Sequence, residues 1–262
     1  MNFIFSVILI FITSSVFSIS NSKHSDYHQA QQAVINYIDI RHKPITQDQI
    51  QSHVYSVWSS RTVDQTGIKN VVLNDVHEVS TLSGQFKLTS LQILFDDFAI
   101  ARFDDWENTN TQLLTLFKTH EIWKVATEVT IGNACSQQQK QFNPNLPYKQ
   151  ILKRLETYYS SVASDESHAL DDVHHSTWQM KNHEEKLIVS EGNETFKKRL
   201  KPNKHIGYAD SREVADIQLI YNCAALIRID KPTSQSVTMF TMLKEKSQWF
   251  IVEKAFSYNK NQ

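Results

Sequence analysis

AIARFD at residues 99–104 matches ALIRID at residues 225–230, 126 positions on, with Ala, Arg and Asp at the same places and apolar residues between them. At the same spacing, without a gap, TLFK (115–118) falls on TMLK (241–244) and Trp123 falls on Trp249. An offset shared by separated matches is the mark of a duplicated module. Upstream the register drifts: VINYID (34–39) resembles RLETYYS (154–160) at offset 121, and Trp58 matches Trp178 at offset 120. A few residues have therefore been inserted in the second copy, as surface loops permit.

Each copy carries the same order of signals. A helical pattern comes first, with Ala30, Val34, Tyr37 and Ile38 in copy one and Tyr148, Ile151, Leu152, Leu155, Tyr158 and Tyr159 in copy two at i, i+3, i+4 spacing. A short second helix follows, then a strand around Trp58 or Trp178. A third helix is expected at Asn193 to Leu200, capped by Ser190 or Asn193, with Lys197, Lys198 and Arg199 suited to the negative end of its dipole. Its counterpart near Asp75 to Leu82 is weaker.

The remainder of each copy reads as strand. VADIQLIY, CAALIRID, SVTMFTMLKEK and QWFIVEKAFSY are β-branched and aromatic runs, separated by Tyr221-Asn222, by Lys231 to Gln235 and by Lys246-Ser247. Such short connections make antiparallel neighbours. The expected fold class is α+β: two tandem domains, each with helices covering one face of a strongly bent antiparallel sheet. The boundaries are a signal peptide at 1–22, domain 1 at 24–134, a linker at 135–147 rich in Gln, Asn and Pro, and domain 2 at 148–262.

Composition narrows the function classes. With 40% hydrophobic residues, 14 Phe, 9 Tyr and 5 Trp, the chain has ample material for a packed core. Only 5 Gly argue against a glycine-rich phosphate loop, and 27 basic against 28 acidic residues leave no basic footprint for nucleic acid. The opening segment is apolar from Phe3 to Ile12 and then turns to small residues, with Val16 and Ser18, or Ser18 and Ser20, placed for signal-peptidase cleavage. It is short of the ~20 residues that span a bilayer, so the membrane is touched only through this segment. The chain is expected to be exported, to the periplasm or beyond. Export makes a disulfide between Cys135 and Cys223 possible; two separate buried thiols are the alternative.

The order helix, helix, strand, helix, four-strand meander, closing on TLFKTHEIWKVATEV and TMLKEKSQWFIVEKAF, resembles the superfamily of nuclear transport factor 2, ketosteroid isomerase and the SnoaL-type polyketide cyclases. AVINYIDI (33–40) and VHHSTWQM (173–180) are similar to the opening helix and the first turn of its bacterial branch labelled "putative lumazine-binding". The resemblance implies a cone with a pocket, and a sheet whose outer face supports dimers. It does not bring a reaction with it: His-Ser stands where that turn has Pro-Asp, and the isomerase Tyr and Asp have no matched positions. Shared fold licenses a pocket and not a chemistry.

The densest polar stretch is HALDDVHHSTWQM (168–180). Asp171 with His174 or His175 would share a helical face as metal ligands, but copy one reads IQSHVYSVW there and keeps no carboxylate, so no metal site is assigned. His174 and His175 are the candidate catalytic residues, as bases near the cone mouth. Tyr158, Trp178, Tyr37 and Trp58 are the candidate ligand-binding residues, against the plainer reading that they pack helix on sheet. Trp123 and Trp249 are expected to plug each sheet's open end, Asp104 and Asp230 to serve turns, and Arg102 and Arg228 to lie on the outer face.

Three functions compete: a non-catalytic binder of a small apolar or aromatic molecule, an isomerase-like enzyme using a histidine of domain 2, and an interaction module in which the two domains form a pseudo-dimer or the chain forms a homo-oligomer. In the third, Met239, Thr241 and Leu243, or their alternates Phe240 and Met242, would contact the other copy's sheet. No cofactor is implied.

Overall fold

The computed structural model describes residues 25–64, 67–107, 110–132, 145–164, 166–184, 187–200, 213–231 and 235–258. The expected signal segment and most of the expected linker, Cys135 included, lie outside these residues. In the first unit, helix α1 (residues 25–41) and α2 (Gln47–Gln51) precede strands β1 (Val54–Asp64) and β2 (Gly67–Val72), a 3-10 turn at Leu73–Glu78, and a meander of β3 (Phe86–Leu94), β4 (Phe98–Asp105), β5 (Thr111–Thr119) and β6 (Ile122–Ile131). The second unit repeats the order. Helices α3 (Asn145–Ser164) and α4 (Leu170–Val173) lead into β7 (His174–Glu184) and β8 (Leu187–Gly192). Helix α5 (Asn193–Arg199) then precedes β9 (Glu213–Ile220), β10 (Ala224–Lys231), β11 (Ser236–Glu245) and β12 (Gln248–Tyr258).

The architecture is α+β, with two six-stranded sheets ordered β2-β1-β6-β5-β4-β3 and β8-β7-β12-β11-β10-β9. They are mixed sheets, which corrects the purely antiparallel expectation: β1 runs parallel to β6 and β7 parallel to β12. The cause is the connection. After its edge hairpin each chain leaves the sheet and re-enters at the far edge, so the meander's last strand returns beside the first strand in the same direction. Two-residue turns at His120-Glu121, Tyr221-Asn222 and Lys246-Ser247 hold positive φ at both positions, the geometry that matches strand twist in a tight hairpin.

The curvature has a repeated cause as well. Pairing of β5 with β6 slips between Thr115 and Leu116, and pairing of β11 with β12 slips at the equivalent Thr241 and Met242. These bulges place an extra residue, Ala126 or Val252, in the closing strand and bend it.

Helix details depart from expectation in three places. Leu152, assigned to the apolar stripe of α3, is 44% exposed, while Ile151, Leu155, Tyr158 and Val162 carry the stripe. Helix α5 is preceded by Gly192 with no side-chain cap, because Asn193 sits inside the first turn and points its amide elsewhere. Its counterpart in the first unit is only the 3-10 turn.

Three apolar cores result. One fills the first cone, around Tyr37, Trp58, Ala101 and Trp123; one fills the second, around Tyr158, Trp178, Phe240 and Trp249. The third lies between the outer faces of the two sheets, where Phe98, Ile100, Leu113 and Phe117 meet Leu226, Met239, Leu243 and Val252. Strands β5 and β11 are buried on both faces for this reason. Met239 and Leu243 enter the inter-sheet core, while Phe240 and Met242 turn into the second cone. Cys223 also belongs to the inter-sheet core and is disulfide-bonded.

A polar cluster lies within the inter-sheet contact. Lys181 donates to Ser59 Oγ at 2.8 Å and to the Ala126 carbonyl at 2.7 Å, and Glu253 accepts from Thr115 at 3.4 Å and from Thr127. Arg61 reaches across to the Thr177 carbonyl at 2.9 Å. At one edge, Asp97 of the first unit holds His183 at 2.8 Å and Ser257 at 2.7 Å.

Candidate functional site

Each cone has a cleft at its mouth, between the first helix and the inner face of the sheet, and equivalent residues line both. In the first unit it is lined by Arg41, Thr62, Leu82, Phe86, Asn110, Gln112 and Thr130 and measures about 120 Å³. In the second it is lined by Tyr159, Val162, Met180, Phe196, Arg199, Leu200, Ile229, Lys231, Ser236, Thr238, Lys254, Phe256 and Tyr258 and measures about 230 Å³. Sequence equivalence puts Arg41 on Val162, Gln112 on Thr238 and Thr130 on Phe256. The second cleft is therefore the same place, enlarged and made more apolar.

What closes the first cleft is an internal polar network. Glu128, fully buried on β6, accepts from the Tyr37 hydroxyl at 2.8 Å and from Arg41 Nε at 2.9 Å. Trp58 Nε1 donates to the Tyr37 oxygen at 3.1 Å, and Arg41 also donates to the Ser80 carbonyl at 3.1 Å. Burial, and then the Glu128 charge, push the Tyr37 hydroxyl well above its ordinary range. Burial pulls the Arg41 guanidinium down, but Glu128 and Tyr37 outweigh it and hold it above the ordinary value. Ion and counter-ion come from the protein itself, and every ring is committed to the core.

The second cone has a different centre. Lys254 stands where Glu128 stands and donates to the Tyr158 hydroxyl at 3.2 Å. Its ammonium lies 5.7 Å from the Tyr158 ring centre and 5.2 Å from that of Phe256, within reach of the negative aromatic faces. Tyr158 packs edge-on to Phe240 at 5.3 Å. Trp178 stacks flat on His174 at 4.2 Å, and its indole N–H has no partner among the described residues.

The two candidate catalytic histidines point to opposite faces of β7, as neighbours on a strand must. His174 is 4% exposed, inside the cone, with its ring centre 5.5 Å from that of Tyr158. Its Nδ1 lies 2.8 Å from Asn193 Oδ1, and Asn193 Nδ2 donates to Asp171 at 3.1 Å. The amide orientation makes Nδ1 the donor and leaves Nε2 a bare acceptor. Burial above all, with Lys254 and Lys197 nearby, pushes this imidazole down to about 4, so it is neutral at physiological pH. His175 lies on the outer face, its Nδ1 accepting from the Thr177 amide at 3.2 Å and its Nε2 3.8 Å from Glu245. Burial, followed by nearby Arg61, lowers it against the pull of Glu245.

Asp171 is tied to Lys197 and Asn193, not to either histidine. The helical face on which a metal would have been shared ends at Val173, and His174 is the first strand residue. Among the described residues no three His, Cys, Asp or Glu side chains are grouped to hold a metal. A larger, shallow trough of about 340 Å³ runs along Gln150, Lys153, Arg154 and Trp249, outside the cone. Trp123 and Trp249 close the strand ends, each with a lysine (Lys118 or Lys244) 5.8 Å over its ring. Arg102 and Arg228 pair with Asp104 and Asp230 along their own strands, at 3.0 and 2.7 Å.

Of the residues singled out in the sequence, Tyr37 and Trp58 meet in the filled first cone, while Tyr158, Trp178 and His174 meet in the second. None of these five lines the second cleft, whose walls are Tyr159, Val162, Met180, Phe196, Lys254 and Phe256 among others. Sequence reasoning missed Glu128 and Lys254. The signal available was their shared place five residues after the repeated tryptophans, with opposite charge.

Comparison with known family models gives a match within the second unit. Residues 147–257 match the model of a family described as "Putative lumazine-binding". The likeness to that branch read from the sequence is borne out over those residues. A comparison with curated proteins finds no match. Similar solved structures include a nuclear transport factor 2-like protein of unknown function from Silicibacter pomeroyi DSS-3, 14% identical over 45% of this chain and 100% of that one, TM-score 0.39. A second, of the same description, is from Shewanella baltica OS155, 15% identical over 46% of this chain and 100% of that one, TM-score 0.39. A third, a cystatin-like fold protein from Burkholderia xenovorans LB400, is 15% identical over 44% and 93%, TM-score 0.33.

Proposed function

We propose that this chain binds a small, flat aromatic molecule in the cleft of its second domain, and that the first domain is a structural partner with a filled cone. One observation carries the reading: equivalent clefts measure about 120 and about 230 Å³, and the larger is walled by Val162, Met180, Phe196 and Phe256 where the smaller has an ion pair. Small-molecule sites are concave and mostly apolar with a few placed polar groups, and this cleft has that composition. The family matched by residues 147–257 supplies lumazine as the first compound to try.

The two domains stand in this reading for a dimer made within one chain. The inter-sheet core supports it, since a surface holding Phe98, Phe117, Met239 and Leu243 would otherwise face water. The opening segment, outside the described residues, directs the chain out of the cytoplasm; fractionation of cells expressing the chain with and without residues 1–22 tests that. Catalysis by His174 is the second reading, favoured by its bare Nε2 beside Tyr158. It is carried less far because His174 lies behind the cleft wall.

Titration of lumazine into the full chain, followed by calorimetry, tests the binder. Saturable one-to-one binding is expected, weakened about tenfold or more when Val162→Trp fills the cleft. No binding, or binding that Val162→Trp leaves unchanged, would contradict the proposal.

A further inference from the structure

We propose that the mouth of the first cone is a second binding site, which takes a small uncharged molecule whose carbonyl oxygen accepts hydrogen bonds from Arg41 and Gln112. The site lies in the other domain and is independent of the binding role proposed above. Two buried donors carry it. Arg41, 1% exposed, donates from Nε to Glu128 and from Nη2 to the Ser80 carbonyl, while its Nη1 has no partner among the described residues. Gln112, fully buried on β5, accepts from Thr130 at 2.9 Å through Oε1, and its Nε2 has no partner among the described residues either. Both side chains line the one cleft of about 120 Å³. Buried N–H groups in folded proteins are met by an acceptor with few exceptions, so two in one cleft define what it is shaped to hold. The volume exceeds the ~10–15 Å³ that a single water needs.

Strand register explains why these groups face the cleft. Gln112 shares the inner face of β5 with Leu114 and Leu116 of the first core, while Leu113 faces the other sheet. It pairs with Thr130 of β6, which pairs in turn with Thr62 of β1, so three polar residues cross the sheet in one row at the cone mouth. The opposite wall is fixed too. Leu82 N–H donates to the Arg41 carbonyl at 2.8 Å, and His42 Nδ1 lies 3.1 Å from the Leu82 carbonyl. In the second unit the same row reads Thr238, Phe256 and Asn182, with Val162 in place of Arg41, so the polar lining belongs to the first unit alone. Arg41 is the one charged side chain among the described lining residues, and Glu128 already answers it at 2.9 Å. An anion would have to share that guanidinium with a buried carboxylate and would be repelled by it; a neutral carbonyl takes the open N–H without that repulsion. A primary amide or urea group fits best, since its own N–H can donate to the hydroxyls of Thr62 and Thr130 in the same lining.

Acetamide and acetate are matched in size and differ in charge. Titration of each into the nitrogen-15-labelled full chain, followed by NMR of the Gln112 side-chain amide and the Arg41 guanidinium, reads the two donors directly. Acetamide is expected to move both resonances saturably, with a Kd of about 1–10 mM for so small a molecule. Acetate is expected to bind about tenfold or more weakly. Gln112→Leu should abolish the Arg41 shift, and Gln112→Glu, which keeps the shape and removes the donor, should do the same. Val162→Trp, in the other cleft, should leave the acetamide response unchanged. Acetamide shifts that persist in either Gln112 variant would place the molecule elsewhere and overturn the proposal. Acetate binding as tightly as acetamide would overturn the uncharged assignment. If neither probe moves either resonance, the cleft holds water only and the proposal falls, while the binding role of the second cleft stands on its own test.

Discussion

Glu128 and Lys254 occupy the same place on the closing strands of two copies of one fold, and each meets the tyrosine of its own first helix with opposite polarity: Glu128 accepts from Tyr37 at 2.8 Å, Lys254 donates to Tyr158 at 3.2 Å. One duplicated position thus became a buried salt bridge in one domain and part of a cleft wall in the other. Each cone has its own apolar core, and the cleft beside that core is the smaller in the first unit and the larger in the second.

The filled cone should be intolerant of losing its charge balance. Glu128→Gln leaves the Arg41 guanidinium, 1% exposed, without its carboxylate, and removing one partner of a buried pair costs about 3–5 kcal/mol. Tyr37→Phe removes the hydrogen bond to that carboxylate and the acceptor of the Trp58 indole N–H, leaves the buried ion pair in place, and should cost about 1.5–3 kcal/mol. Urea unfolding of the two variants checks the ranking; equal losses would mean that Glu128 is not the centre of the network.

Acid should destabilise the second cone through His174. Its imidazole titrates near 6.5 when unfolded and is pushed down to about 4 by burial when folded. The folded value lies below the unfolded one, so the contribution is fully present above pH 6.5 and is lost as pH falls towards 4. The amount is about 3 kcal/mol. His174→Phe keeps the stack on Trp178 and should flatten this dependence, costing stability at pH 7 and recovering it relative to wild type at pH 4.5. Thermal melts at the two pH values decide it.

The inter-sheet contact should behave as a core. Glu253→Leu strands Lys181 and Arg61 in a contact where both are fully buried, at a cost of about 3–5 kcal/mol. Met239→Ala, at 4% exposure, removes apolar packing and should cost about 2–5 kcal/mol. If the two units unfolded independently, these variants would leave the transition of the full chain unchanged; a shifted single transition is expected.

Much of this was legible in the sequence because duplication doubles every signal. The offset of AIARFD and ALIRID, the paired tryptophans and the turn residues Tyr221-Asn222 and Lys246-Ser247 locate the two units and their hairpins. The charged centres were hidden by the bulges. Counting by twos from Trp249 puts residues 251, 253 and 255 inside the cone; the extra residue Val252 flips the alternation, so Lys254 and Phe256 turn inward and Glu253 outward. The same slip at Ala126 turns Glu128 inward. Arg41 was hidden by distance, since its partner lies 87 residues away and an arginine at a helix end reads as a solvated charge. His174 and His175 are adjacent in sequence, and only the start of the strand at His174 assigns them to opposite faces.

Methionine-methyl NMR gives the most direct test of where the ligand sits. Met180 lines the second cleft, while Met239 lies in the inter-sheet core. Titration of lumazine into the full chain carrying labelled methionine methyls should move the Met180 resonance to saturation and leave Met239 in place. A Met239 resonance that moves while Met180 stays fixed, or spectra that do not change at all, would contradict the account.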